Sequence, residues 1–205
     1  MPRFRRPNRR QWFQQTAIGA AMSATLPMLQ STVGAAQADP PVFRFALNTS
    51  TIRGQKKTLP EIVEMAAEAG YDGIEPWIRE LEAYRDSGGD LEELRRRIEA
   101  SGLEVISAIG FPHWCVDDAN ERKKGLEQAK RDMALVRAVG GDKIAAPPVG
   151  ATDAALPLDA LAERFAALAE VGRNEGVQPQ LELWGHSQTL HLLGEVLYVA
   201  CESKV

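Results

Sequence analysis

The hexapeptide Leu181-Glu182-Leu183-Trp184-Gly185-His186 sets a carboxylate inside a short apolar run, with an indole and an imidazole just beyond it. An ionised Glu in a buried strand loses on the order of several kcal/mol of solvation unless a cation or a set of donors compensates. Two readings follow: Glu182 holds a metal or serves a reacting group, or it is a structural carboxylate paired to a neighbouring Arg or Lys.

Four other short stretches carry related chemistry: Asn48-Thr49-Ser50, Glu75-Pro76-Trp77, Phe111-Pro112-His113-Trp114 and Ala146-Pro147-Pro148. If all five stretches close strands of one sheet, then Glu75, Trp77, His113, Trp114, Glu182, Trp184 and His186 crowd a single rim. That set suits a pocket that stacks a polyol on aromatic walls and moves its protons. Each residue also has a plainer reading. His113 and Trp114 would plug the mouth of a barrel, Glu75 would hydrogen-bond a loop, and His186 would belong to the turn before a helix capped by Thr189. Helix-borne His191 reads as a surface residue.

The elements that must position these residues recur along the chain. Strand-like runs at 43–47, 73–76, 103–109, 143–146 and 180–183 alternate with helical patterns at a spacing of about 30–40 residues, a β/α period. In the first helix Leu59, Ile62, Val63, Ala66 and Ala67 form one apolar stripe behind a Thr58-x-x-Glu61 capping box. The stripes Leu91, Leu94, Ile98, then Leu126, Ala129, Met133, Val136, then Leu158, Leu161, Phe165, Leu168 repeat it, and Leu190, Leu193, Leu197 suggest a fifth. Gly70, Gly102, Gly140 and Gly176 sit just past four of these helices, where a left-handed residue ends the last turn. Five parallel strands suit a doubly wound sheet or a (β/α)8 barrel. No glycine-rich phosphate loop follows any strand, which favours the α/β barrel of TIM type, with its chemistry at the carboxyl ends of the strands.

The chain has 205 residues, 44% hydrophobic and 25% charged, which is room for one substantial domain. Its formal charge of −4 hides an asymmetry. The first 38 residues hold five Arg and no acid, so the remainder carries 19 basic against 28 acidic residues. An acidic body of about −9 argues against a nucleic-acid partner. Residues 1–38 read as a twin-arginine signal peptide: Arg9-Arg10 with Trp12-Phe13, a weakly apolar run from Thr16 to Leu29, and a cleavage pattern Ala36-Gln37-Ala38. Gln14 stands where the motif usually has Leu. The expected partner is the twin-arginine export machinery and the expected location periplasmic. The run is too short and too interrupted for a stable membrane anchor. Cys115 and Cys201 are expected to remain free thiols.

Gly73-Ile74-Glu75, Phe111-Pro112-His113-Trp114 and Leu181-Glu182-Leu183-Trp184-Gly185-His186, with the following Leu197-Tyr198-Val199-Ala200, together resemble the sugar-phosphate isomerase/epimerase family with the xylose-isomerase-like TIM barrel. The resemblance makes 39–205 a partial barrel holding about the first five β/α units, since three more would be needed to close it. It leads to the expectation of open edges at strands one and five and of inner apolar faces meeting water. It implies a divalent-metal cofactor (Mn, Mg, Co or Zn) with Glu182 as a ligand, and His113 in the substrate pocket. The implied activity is sugar or sugar-phosphate isomerisation or epimerisation, a proton transfer beside a carbonyl through an enediolate, with a small sugar or hydroxycarbonyl compound as partner. The alternatives are a metal-dependent phosphodiester hydrolase of the endonuclease IV type and a non-catalytic sugar-binding or vestigial fragment. The family's further metal ligands, an Asp, a His and a second Glu, come from strands six to eight and have no counterpart here.

Overall fold

The computed structural model describes residues 43–205, so the export signal lies outside the described residues. Five short strands, β1 (Ala46–Asn48), β2 (Gly73–Glu75), β3 (Glu104–Val105), β4 (Lys143–Ala146) and β5 (Gln178–Leu181), are all parallel to their neighbours. They form a three-stranded group β1-β2-β3 and a pair β4-β5. Two hydrogen bonds through Ala108 join the groups: its N–H donates to Lys143 O (3.1 Å) and its carbonyl accepts from Ala145 N (2.9 Å). The wall therefore runs 1-2-3-4-5 in chain order. A doubly wound sheet reverses its strand order partway, whereas a barrel adds each strand beside the last. The order decides for the (β/α) barrel type, of which the described residues build five units.

Around this wall lie α1 (Leu59–Ala69), α2 (Ile78–Asp86), α3 (Leu91–Ala100), α4 (Ala119–Ala138), α5 (Leu158–Glu175) and α6 (Leu193–Glu202). The stripe of α1 faces the sheet, with Leu59, Ile62, Val63 and Ala66 buried, and the Glu61 carboxylate accepts from the Thr58 N–H at 2.8 Å and hydroxyl at 2.9 Å. Gly70 and Gly176 end α1 and α5 at φ of 80° and 69°, a region that a Cβ disfavours. Gly102 and Gly140, one residue past the caps of α3 and α4, are also left-handed. Cys115 and Cys201 are both free; burial pushes the Cys115 thiol up to about 12.

One helix was not anticipated, and two expectations about the last helix are corrected. The helix α2 lacks a sequence signature: it shows two buried apolar residues, Ile78 and Leu81, among charged ones, and its N-cap is Trp77. The last helix starts at Leu193, not behind Thr189, and Leu190 is a buried left-handed loop residue at φ 55°. The Thr189 hydroxyl ties two loops instead, donating to Ala154 O (2.8 Å) and accepting from Leu156 N (3.1 Å). Leu193 and Leu197 then point outward, 65% and 56% exposed, while Val199 makes the buried contact. His191 precedes α6 rather than riding on it. Its N–H donates to Glu195 Oε2 at 2.9 Å.

Side chains alternate across each strand. Leu47, Ile74, Val105, Ile144 and Pro179 are buried toward the helices, so Ala46, Asn48, Glu75, Glu104, Lys143, Gln178, Gln180 and Glu182 fall on the opposite, inner face. That face was expected to be apolar; on the described residues it is mostly polar, with Ile106 its exposed apolar member. Among the described residues β1 and β5 each have one strand neighbour.

One buried acid lies in the helix layer. Asp132 of α4 is 2% exposed, and burial, opposed by a hydrogen bond from Gln128 and reinforced by the charge of Glu82, pushes its carboxyl up from 3.8 to about 6. The folded chain holds this proton more tightly than the unfolded one, so this group's contribution to stability falls as pH rises from about 4 to about 6 and is level above. Asp132→Asn should remove that part of the slope. Urea midpoints of wild type and variant across this range check it, and parallel profiles would refute it.

Candidate active site at the carboxyl rim

Register brings the first two rim residues together. Asn48 pairs with Glu75 across β1 and β2, and both point to the inner face. The Asn48 amide donates to Glu75 Oε2 at 2.7 Å, while its Oδ1 accepts from the Trp77 indole at 3.0 Å and from Ser50 N at 3.1 Å. Asn48 is thus the cap of the 3-10 helix Thr49–Gln55 and the clamp on two rim side chains at once. Beneath it the buried Thr49 hydroxyl donates to Glu80 Oε2, which also accepts from Trp77 N at 3.2 Å. Glu75 therefore has hydrogen-bonded support and keeps its other oxygen outside the bond with Asn48.

The aromatic residues form an arc from one strand end to the next. Trp77 meets Phe111 edge-on at 5.1 Å, Phe111 lies 6.3 Å from Trp184, and Trp184 lies 4.9 Å from the His186 ring with the planes 30° apart. The arc spans the ends of β2, β3 and β5. On its β2 side the Arg79 guanidinium sits over the Trp77 ring, 4.3 Å from the centroid. The Asn48 clamp, Phe111 and Arg79 were missed as site residues; the first two stood in quoted strand-end stretches, but a partner across strands is not written in either stretch.

Glu182 follows directly on β5, where its N–H donates to Ala146 O at 3.3 Å. Its Oε2 is buried and has no hydrogen-bond partner. No Arg or Lys pairs with it among the described residues, so the structural ion-pair reading fails. Three or more His, Cys, Asp or Glu side chains able to hold a metal together do not occur among the described residues. Glu182 fits as one ligand of a hard cation, and the described residues do not complete a set.

The remaining candidates separate. His113 is exposed on the loop after β3, with its ring against Gly150, where an added Cβ would stand 3.1 Å from Nδ1. Trp114 does not line the rim. It is fully buried, donates its indole N–H to Pro147 O at 2.8 Å and packs edge-on against Phe165 at 5.7 Å, so its assignment to substrate is replaced by one to the core. A cavity at the amino ends of β3 and β4 is lined by charges already paired, Arg44 with Glu104 and Lys143 with Asp142, each at 2.8 Å. The rim offers the unpaired groups.

Strand order, and polar groups gathered at the carboxyl ends, define a barrel of the kind whose chemistry sits on that face. Residues 63–198 match the model of the xylose isomerase-like TIM barrel family, and the chain belongs to that family. A 3-dehydroshikimate dehydratase of Pseudomonas aeruginosa is 30% identical over 130 residues, covering 62% of this chain and 20% of that protein. Two solved structures share the fold: the IolI protein with a bound zinc atom (TM-score 0.70, 15% identity, 80% of this chain and 60% of that one) and D-psicose 3-epimerase in the presence of D-fructose (0.65, 16%, 78% and 60%). The chain thus spans a fifth of the curated relative and 60% of each of these two barrels.

Proposed function

We propose that this chain carries the first five β/α units of an enzyme that removes a proton beside a carbonyl of a small polyhydroxylated compound, and that the activity is isomerisation or epimerisation of a sugar or related hydroxycarbonyl. The observation that carries it is the unpartnered, buried Glu182 Oε2 at the end of β5, two residues before Trp184, whose ring lies against that of His186. A buried oxygen without a donor costs about 1–3 kcal/mol, a penalty retained where a ligand supplies the missing partner.

A divalent ion would take Glu182 as one oxygen ligand, and zinc in the similarly folded IolI supports this. When bound, such an ion polarises a carbonyl and its neighbouring hydroxyl. The chain's own residues do the rest: Trp77, Phe111 and Trp184 offer ring faces to the carbon skeleton, Asn48 fixes Glu75, and Glu75 and His186 stand at the rim to accept and return a proton. His113, exposed on the β3 loop, is proposed to meet the substrate from the side of Gly150.

A second reading is favoured by the 30% identity to a dehydratase. The same proton abstraction, followed by loss of a hydroxyl one carbon further on, gives dehydration instead of epimerisation. Incubating the full-length protein in D2O with ketoses and with 3-dehydroshikimate separates the two. Deuterium entering beside the carbonyl of a recovered ketose supports the epimerase, and loss of one water from 3-dehydroshikimate supports the dehydratase. Absence of both across the panel would remove the proposal.

We also propose twin-arginine export. Changing Arg9 and Arg10 to Lys should hold the precursor in the cytoplasm, and unaltered export of the double variant would refute this.

A further inference from the structure

We infer that the compound bound at this rim carries an anionic oxo group, a carboxylate or a phosphate, and that Arg79 receives it; the inference rests on the rim being the substrate pocket. Seven described arginines, at 44, 85, 95, 96, 97, 164 and 173, pair with carboxylates. Arg79 does not: its contact is the face of Trp77, 4.3 Å away. The platform beneath it is fixed, because the Trp77 indole N–H is held by Asn48 and its ring by Phe111. Two rim acids are engaged elsewhere, Glu80 by Thr49 and Trp77 N and Glu75 by Asn48, and Glu82, three residues on along α2, forms no ion pair with Arg79 among the described residues. A guanidinium stacked on an indole keeps its in-plane N–H donors free, and their fork matches a carboxylate or phosphate bidentately.

The placement also orients the ligand. Arg79 is at the β2 end of the aromatic arc, and the orphan carboxylate of Glu182 is at the β5 end. An anionic group is drawn to Arg79, so the anion sits over Trp77 and the reacting carbons lie toward Trp184. Binding a remote anion this way leaves the group at Glu182 neutral until it reacts.

Quenching of tryptophan fluorescence in the full-length protein tests this with three probes: D-fructose, D-fructose 6-phosphate and 3-dehydroshikimate. One or both anionic probes should bind more tightly than the neutral ketose, with a preference that fades as salt rises. Arg79→Gln should weaken the anionic probes about tenfold or more and leave D-fructose unchanged, and Arg79→Lys should recover part of the loss. The probe that loses more identifies the group as carboxylate or phosphate. Equal binding of all three, or an equal loss of all three in Arg79→Gln, overturns the inference. In that case a Glu182→Gln variant that still loses turnover leaves the pocket standing, whereas no binding by any probe removes both.

Discussion

Replacing Glu182 with Met should make the protein more stable and inactive at once. The two effects come from one atom. Oε2 of Glu182 is buried and unpartnered, so its removal relieves a desolvation penalty of about 1–3 kcal/mol, equivalent to roughly 2–4 °C in Tm per kcal/mol for a chain of this size. Glu182→Gln keeps the shape without the charge and should lower kcat/KM by at least about a hundredfold, with loss of divalent-ion binding in the full-length protein. Glu75 supplies the contrast, because it lies on the same inner face but accepts from Asn48 at 2.7 Å. Glu75→Met would strand that amide and should lower Tm. Thermal melts of the two Met variants, set beside turnover of Glu182→Gln, check the whole set. A Glu182→Met protein that melts below wild type would make Glu182 a structural carboxylate and take away the main support for the proposed activity.

That contrast marks how far the sequence reaches. Helix stripes such as Leu59, Ile62, Val63, Ala66 announce themselves because burial against a sheet imposes a 3.6-residue period, and the glycines after them mark where each helix stops. The helix 78–86 does not, since Ile78 and Leu81 are its two buried residues, with Tyr84 partly packed beside them among charged neighbours. The stripe Leu190, Leu193, Leu197 misled for a related reason: Leu190 is itself a left-handed loop residue ahead of the helix, so it never joins the exposed face that Leu193 and Leu197 share. At the rim, Glu75, Trp77, Glu182, Trp184 and His186 were legible as residue types gathered at strand ends. Their sorting was not, because it depends on pairing across strands. Asn48 reaches Glu75 and Trp77 through the β1–β2 register, and Glu182 is left without a donor by the geometry of β4 and β5. Arg79 shows the same limit, since nothing in a charged helix start says which arginine lies on an indole.

Trp114 is where residue type and position misdirect most, and its substitution should be the most damaging to the fold. It follows His113 and stands three residues from Phe111, both exposed, yet its own ring is fully buried. The chain turns it inward because Pro147 presents a carbonyl that needs a donor, met at 2.8 Å, and because Phe165 of α5 offers a ring edge. Trp114→Ala should cost about 3–5 kcal/mol, a large part of the 5–15 kcal/mol that holds a typical domain together. Trp114→Phe keeps most of the packing and should cost about 1–3 kcal/mol for the carbonyl left bare. Trp184→Phe is the rim counterpart; with a half-exposed ring it should move stability by no more than about 0.5 kcal/mol while weakening ligand binding. Urea unfolding of the three variants orders them. If Trp114→Phe unfolds with the wild type and Trp184→Phe does not, the two indoles exchange roles, and the aromatic wall of the pocket has to be rebuilt around the β3 loop instead of β5.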